Sequence, residues 1–189
     1  MENNGAGQGH SVKYPRSYDI IYRSGYVISF LGIFLFWVSY LFLNESGLFG
    51  GISLFYIGAL ISGIFLLVWR KEIKIFILSC IIIGIFLSFM YLFLKNQEIL
   101  IVSIGFVLAG YAGLYGKEAY CFHFNEGWIL MWSFPVLIFT NLIIYGTGYG
   151  RNVITHDIFS VIYLIIVILA LSFLIKKLRQ PIMEFCQNQ

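Results

Sequence analysis

Apolar residues fall into six long runs, at about Gly25–Leu43, Gly51–Trp69, Ile75–Leu94, Ile99–Tyr115, Trp128–Tyr145 and Ile158–Ile175. Polar residues collect in the short connections and at the two ends. Each run is long enough to cross roughly 30 Å of hydrocarbon at ~1.5 Å per residue. Lipid offers the backbone no hydrogen-bond partner, so each run has to be a helix or a strand of a closed barrel. The runs are continuously apolar and do not alternate, which excludes the barrel. The expected fold is therefore all-α, a polytopic membrane protein with a bundle of six transmembrane helices. Its helical domain is expected over 19–178, between a polar tail at 1–18 and a short tail at 179–189.

Composition agrees with this pattern. Of 189 residues, 60% are hydrophobic and 11% charged, against roughly 25% charged in ordinary soluble domains. Lys and Arg are unevenly spread over the connections: counted by side, ten face the side of the two ends and two, Lys95 and Arg151, the other. The positive-inside rule then predicts an inner (cytoplasmic) membrane protein with both termini cytosolic. The first eighteen residues lack an apolar h-region and read as a cytosolic tail, not a cleavable signal. The net charge of +3 comes from these topology determinants, so no nucleic-acid partner is expected. Cys80, Cys121 and Cys186 show no paired spacing, which argues against a disulfide framework and a thiolate zinc site.

Three features inside the runs have ordinary explanations. Small residues at Gly105, Ala109, Gly110, Ala112, Gly113 and Gly116 suit close helix packing in the fourth run. Pro135 should kink the fifth, and Asn141 is the intramembrane polar residue expected to bond a neighbouring helix. Trp37, Trp69, Trp128 and Trp132 lie mostly near run ends and read as interfacial anchors. The connection from Gly146 to Asp157 is Gly-rich and is expected to be mobile.

The chemistry concentrates in the fourth connection, Gly116 to Gly127, which reads GKEAYCFHFNEG. Ionisable groups at a membrane boundary are costly and usually find partners. Together with Asp19 and Arg23, an i, i+4 pair before the first run, they define a cytosolic-face cluster of Asp19, Arg23, Lys117, Glu118, Cys121, His123 and Glu126. An Arg23–Glu118 or Arg23–Glu126 ion pair is the expected link. If the fourth helix continues through the connection, Glu118 and Cys121 share a face at i, i+3 while His123 points away. That spacing is poor for a metal site or a Cys–His nucleophile, so no catalytic residue, metal or cofactor is expected.

These residues carry a resemblance. Asp19-Ile-Ile-Tyr-Arg-Ser-Gly25 resembles the E-V-I-I-Y-R-x-G segment of the uncharacterised integral membrane proteins grouped as domain of unknown function 2301. Gly113-Leu-Tyr-Gly-Lys-Glu-Ala-Tyr-Cys-Phe122 resembles that family's G-L-x-x-K-E-A-F-C-F. Glu126 matches its later acidic position and Lys177-Leu-Arg-Gln-Pro181 its ending. Phe124 stands where the family commonly has Arg, and the histidines of its second and third spans are missing. The resemblance implies the architecture and a shared cytosolic-face motif, and no reaction.

Three functions compete. The favoured one is a small transporter-like or accessory membrane subunit without enzymatic activity. The second is a membrane-embedded redox or thiol enzyme using Cys121 with Glu118 or His123. The third is a structural partner in a larger membrane complex. Expected partners are the lipid bilayer, and other membrane proteins or a second copy of the chain.

Overall fold

The computed structural model describes residues 16–66, 71–147 and 153–181, and gives only the backbone at 141–147 and 153–155. It contains six helices: α1 (Arg16–Leu41), α2 (Glu45–Ile64), α3 (Lys71–Leu94), α4 (Gln97–Phe122), α5 (Asn125–Thr147) and α6 (Val153–Arg179). Among the described residues, α1 to α4 and the His156–Arg179 part of α6 are long and apolar enough to cross a membrane. The side chain of Asn141, Trp69, Cys186 and residues 148–152 of the Gly146–Asp157 connection lie outside the described residues.

Each helix runs antiparallel to the next, and α6 returns to pack on α1, so the six close into a ring. The tightest seam is α1 against α2. A Cβ on Gly58 would stand 2.6 Å from the Gly25 carbonyl oxygen, and one on Gly51 would stand 2.6 Å from the Phe36 nitrogen. Ser29 and Ser62 share this seam, their hydroxyls donating to the Phe55 and Tyr22 carbonyls. Helix association in lipid lacks a hydrophobic drive and relies on such close packing. In α4, Gly110 and Gly113 do lie against Ile77 of α3, whereas a Cβ on Gly105 would meet only Ile138 of α5, at 3.9 Å.

Two of the hairpins turn by the same device. Leu43 and Lys95 each adopt a left-handed φ of 51° and end a helix. The next residue, Asn44 or Asn96, then caps the following helix, accepting from Gly47 N at 3.2 Å and Glu98 N at 2.9 Å. At the α4–α5 turn His123 takes the left-handed role, with φ 55°.

The helices have little amphipathic character because both faces are apolar. Their outer faces carry Phe76, Phe86, Phe93 and Phe139, all exposed toward what is hydrocarbon in the membrane. The interior is rich in tyrosine: Tyr22, Tyr26, Tyr111 and Tyr115 are each at most 2% exposed. Between α2, α3 and α4 the Tyr56, Ser88 and Ser103 hydroxyls bond one another, and Ser103 donates to the Gly84 carbonyl at 2.8 Å.

Candidate functional site: a buried carboxylate lock at one end of the bundle

Helix α4 does not stop at the end of its apolar run. It continues through Lys117, Glu118 and Cys121 to Phe122, leaving only His123 and Phe124 before α5. This carries Glu118 inward, where it is fully buried. A carboxylate without water is stable only if its charge and lone pairs are satisfied. Three groups do this: Lys117 Nζ lies 2.8 Å from Oε1, Lys177 Nζ lies 2.6 Å from Oε2, and the Tyr22 hydroxyl donates to Oε1 at 2.6 Å. Helices α1, α4 and α6 are thereby tied through one carboxylate.

Aromatic faces complete the lock. The Lys177 ammonium sits 5.3 Å from the Tyr22 ring centroid and 4.7 Å from that of Phe122. Lys117 approaches the same two rings at 5.3 and 5.4 Å. Each ammonium is thus held by a carboxylate and by two π faces, which are worth most where water is scarce.

Arg23 does not pair with Glu118 or Glu126, contrary to the expectation from sequence. It contacts Asp19 at 2.9 Å, one turn back on α1. Its guanidinium donates to the carbonyls of Lys177, Gln180 and Pro181 at 3.1, 2.7 and 3.1 Å. These are acceptors at and just beyond the end of α6, where a helix has unsatisfied carbonyls and its negative dipole end. Arg23 is the cap of α6. Glu126 takes the third cationic partner, Lys176 at 2.5 Å, and accepts from the Ser172 hydroxyl at 3.2 Å.

The sequence-expected cluster is therefore split. Asp19–Arg23, Lys117–Glu118–Lys177 and Glu126–Lys176 form three ion-paired groups, each of which reaches the end of α6. Cys121 is half-buried and His123 is exposed at the turn. Among the described residues, no three His, Cys, Asp or Glu side chains come together as a metal-binding group. Missing from the sequence reading were Lys176 and Lys177, treated there as topology markers, and Tyr22, Tyr26 and Phe122. A signal was available, since Tyr22 and Lys177 both sit in the family-like segments.

Behind Glu118 runs a column of rings. Tyr22 and Tyr26 share a hydroxyl contact of 3.0 Å. Tyr26 and Tyr115 rings are 6.0 Å apart, Tyr115 and Tyr111 4.9 Å, and Tyr111 and Phe55 4.8 Å. Phe55 is already a wall of a cavity of about 590 Å³ in the other half of the bundle. The buried Tyr56, Leu108 and Phe134 also line the cavity, and the exposed Glu45 and Gln97 stand at its rim.

The six-helix bundle, its lipid-facing apolar surface and its ion-paired interior define a multi-pass integral membrane protein. The chain belongs to the family described as uncharacterized integral membrane protein (DUF2301), whose model matches residues 59–185. The match takes in Glu118, Glu126 and Lys177 and begins after Tyr22 and Arg23. No curated protein and no solved structure matches the chain.

Proposed function

We propose that the protein is a small transporter-like protein of the inner membrane, with both termini cytosolic, in which the Glu118 lock closes the cytosolic end of a cavity open to the opposite side. The ten-to-two bias of Lys and Arg supports the orientation. The observation that carries the reading is the asymmetry of the bundle. One end is sealed by a three-helix ion-pair lock, the other holds a cavity, and a continuous ring column joins them. Buried ionisable groups in membrane proteins are expensive and tend to mark pathways and gates. An ion pair that ties three helices is also a device that can be broken to let them part.

Sidedness of thiol access tests this. In a chain with its three cysteines replaced by serine, Ile104→Cys places a thiol on the cavity wall. The expected result is labelling by an impermeant thiosulfonate from outside only. With Glu118→Gln or Lys177→Met added, labelling from the cytosolic side should appear. If both variants fold and keep strictly external access, the lock is not a gate.

The thiol-enzyme reading is weaker, because both Glu118 oxygens are occupied by Lys117, Lys177 and Tyr22, leaving Cys121 no free base there. An accessory role beside other membrane proteins or a second copy would instead show as a larger complex in mild detergent.

A further inference from the structure

The cavity itself indicates what could enter it. Its volume of about 590 Å³ lies within the ~300–1,000 Å³ typical of small-molecule sites. Its walls are aliphatic and aromatic, with Phe36, Tyr40, Phe49, Tyr91 and Tyr163 among the rings. Among the described residues Glu45 is the one lining side chain that is charged at neutral pH; Lys95 lies over the Tyr91 ring and His156 stacks on Tyr40, both just outside the lining. Glu45 opens α2 just after its Asn44 cap, where the helix dipole favours a negative charge. Among the described residues it has no ion-pair partner. Deeper in, the Tyr56 hydroxyl is already bonded by Ser88 and Ser103, so that end offers contact surface and no spare polar group.

This combination discriminates by charge. An anion would meet Glu45 and, among the described lining residues, no cationic side chain. A dication or zwitterion would leave one charge unmatched in an apolar space, which costs several kcal/mol. A single positive charge at the rim finds a carboxylate and ring faces, the arrangement that holds organic ammonium-type cations, while an apolar body fills the inner part. We propose that the cavity is a binding site for a bulky hydrophobic monocation. This rests on the transporter-like reading only for its consequence, since binding can be measured without movement.

The test uses the full chain in lipid nanodiscs, with empty nanodiscs as the partitioning control. Labelled tetraphenylphosphonium is the cation and tetraphenylborate the anion of matching shape. Saturable binding is expected for tetraphenylphosphonium and none above control for tetraphenylborate. Glu45→Gln, at an exposed position, should weaken cation binding at least tenfold without changing helicity. Ile104→Trp, which fills the cavity, should abolish it. The proposal is overturned by absence of saturable cation binding, by equal binding of the borate, or by an unaffected Glu45→Gln variant. Saturable cation binding in a protein whose thiol access never changes side would uphold the site and remove the transport reading. The opposite pair of results would do the reverse.

Discussion

Glu118→Gln is the substitution that bears hardest on this structure. The carboxylate is fully buried and ion-pairs with two ammonium groups, Lys117 and Lys177, whose side chains are 11% and 3% exposed. The amide keeps the shape and can still accept from Tyr22, so the loss is almost purely one of charge. Removing one member of a buried ion pair typically costs about 3–5 kcal/mol, because the remaining charge is stranded. At ~2–4 °C per kcal/mol for a chain of this size, the melting temperature should fall by roughly 6–20 °C. Lys177→Met should cost less, since Glu118 keeps Lys117 and Tyr22 while Lys177 leaves only an apolar stem to replace. The double variant Glu118→Gln/Lys177→Met removes one of the two stranded ammoniums, so it should be less destabilised than the two single effects added together. The assay is thermal unfolding of purified protein in one detergent, followed by intrinsic fluorescence. A Glu118→Gln protein melting within about 2 °C of the parent, or strictly additive effects in the double variant, would refute the lock.

Other substitutions probe the rest of the frame. Arg23→Gln removes three charge-assisted bonds to the end of α6; at ~1.5–3 kcal/mol each before relaxation, stability should drop by at least 2 kcal/mol. Hydrogen exchange at the last turn of α6 should quicken, and Arg23→Lys should not rescue it, because an ammonium lacks the planar fork. Gly58→Val places carbon against the α1 backbone and should abolish accumulation of folded protein, whereas Gly105→Ala, with nothing closer than 3.9 Å, should be neutral. Lys95→Gly relieves a left-handed backbone at an exposed turn; a gain of about 0.5–1 kcal/mol is expected in the same melting assay.

How much of this was legible beforehand depends on the range of the interaction. The six spans follow from unbroken apolar runs, because hydrocarbon imposes length and continuity on any segment that crosses it. The charged cluster was also visible as ionisable residues in an otherwise apolar chain. Which charges meet was not. Arg23 is 95 residues from Glu118 and 154 from Lys177, as their numbering shows, and local spacing carries no information about such pairs. The sequence reading ended the fourth span at Tyr115, where the hydropathy falls. The helix in fact continues to Phe122, because Lys117 and Glu118 find partners inside the protein that water would otherwise have to supply. Close packing was assigned to the glycines of α4, yet the tightest seam lies between α1 and α2. Small residues recur on both, and only pairing decides which face meets which.

By itself, then, the sequence determined a six-helix membrane protein with most of its Lys and Arg at one end. Those properties follow from solvent and backbone physics acting on short stretches of chain. Tertiary structure alone decided that Lys177, not Arg23, neutralises Glu118, that Arg23 caps α6, and that tyrosines link this lock to a cavity edged by Glu45. Each of these is a choice among partners of like charge, and it is made by the tertiary packing, which lets side chains of α1, α4 and α6 meet across the interior of the ring at one end.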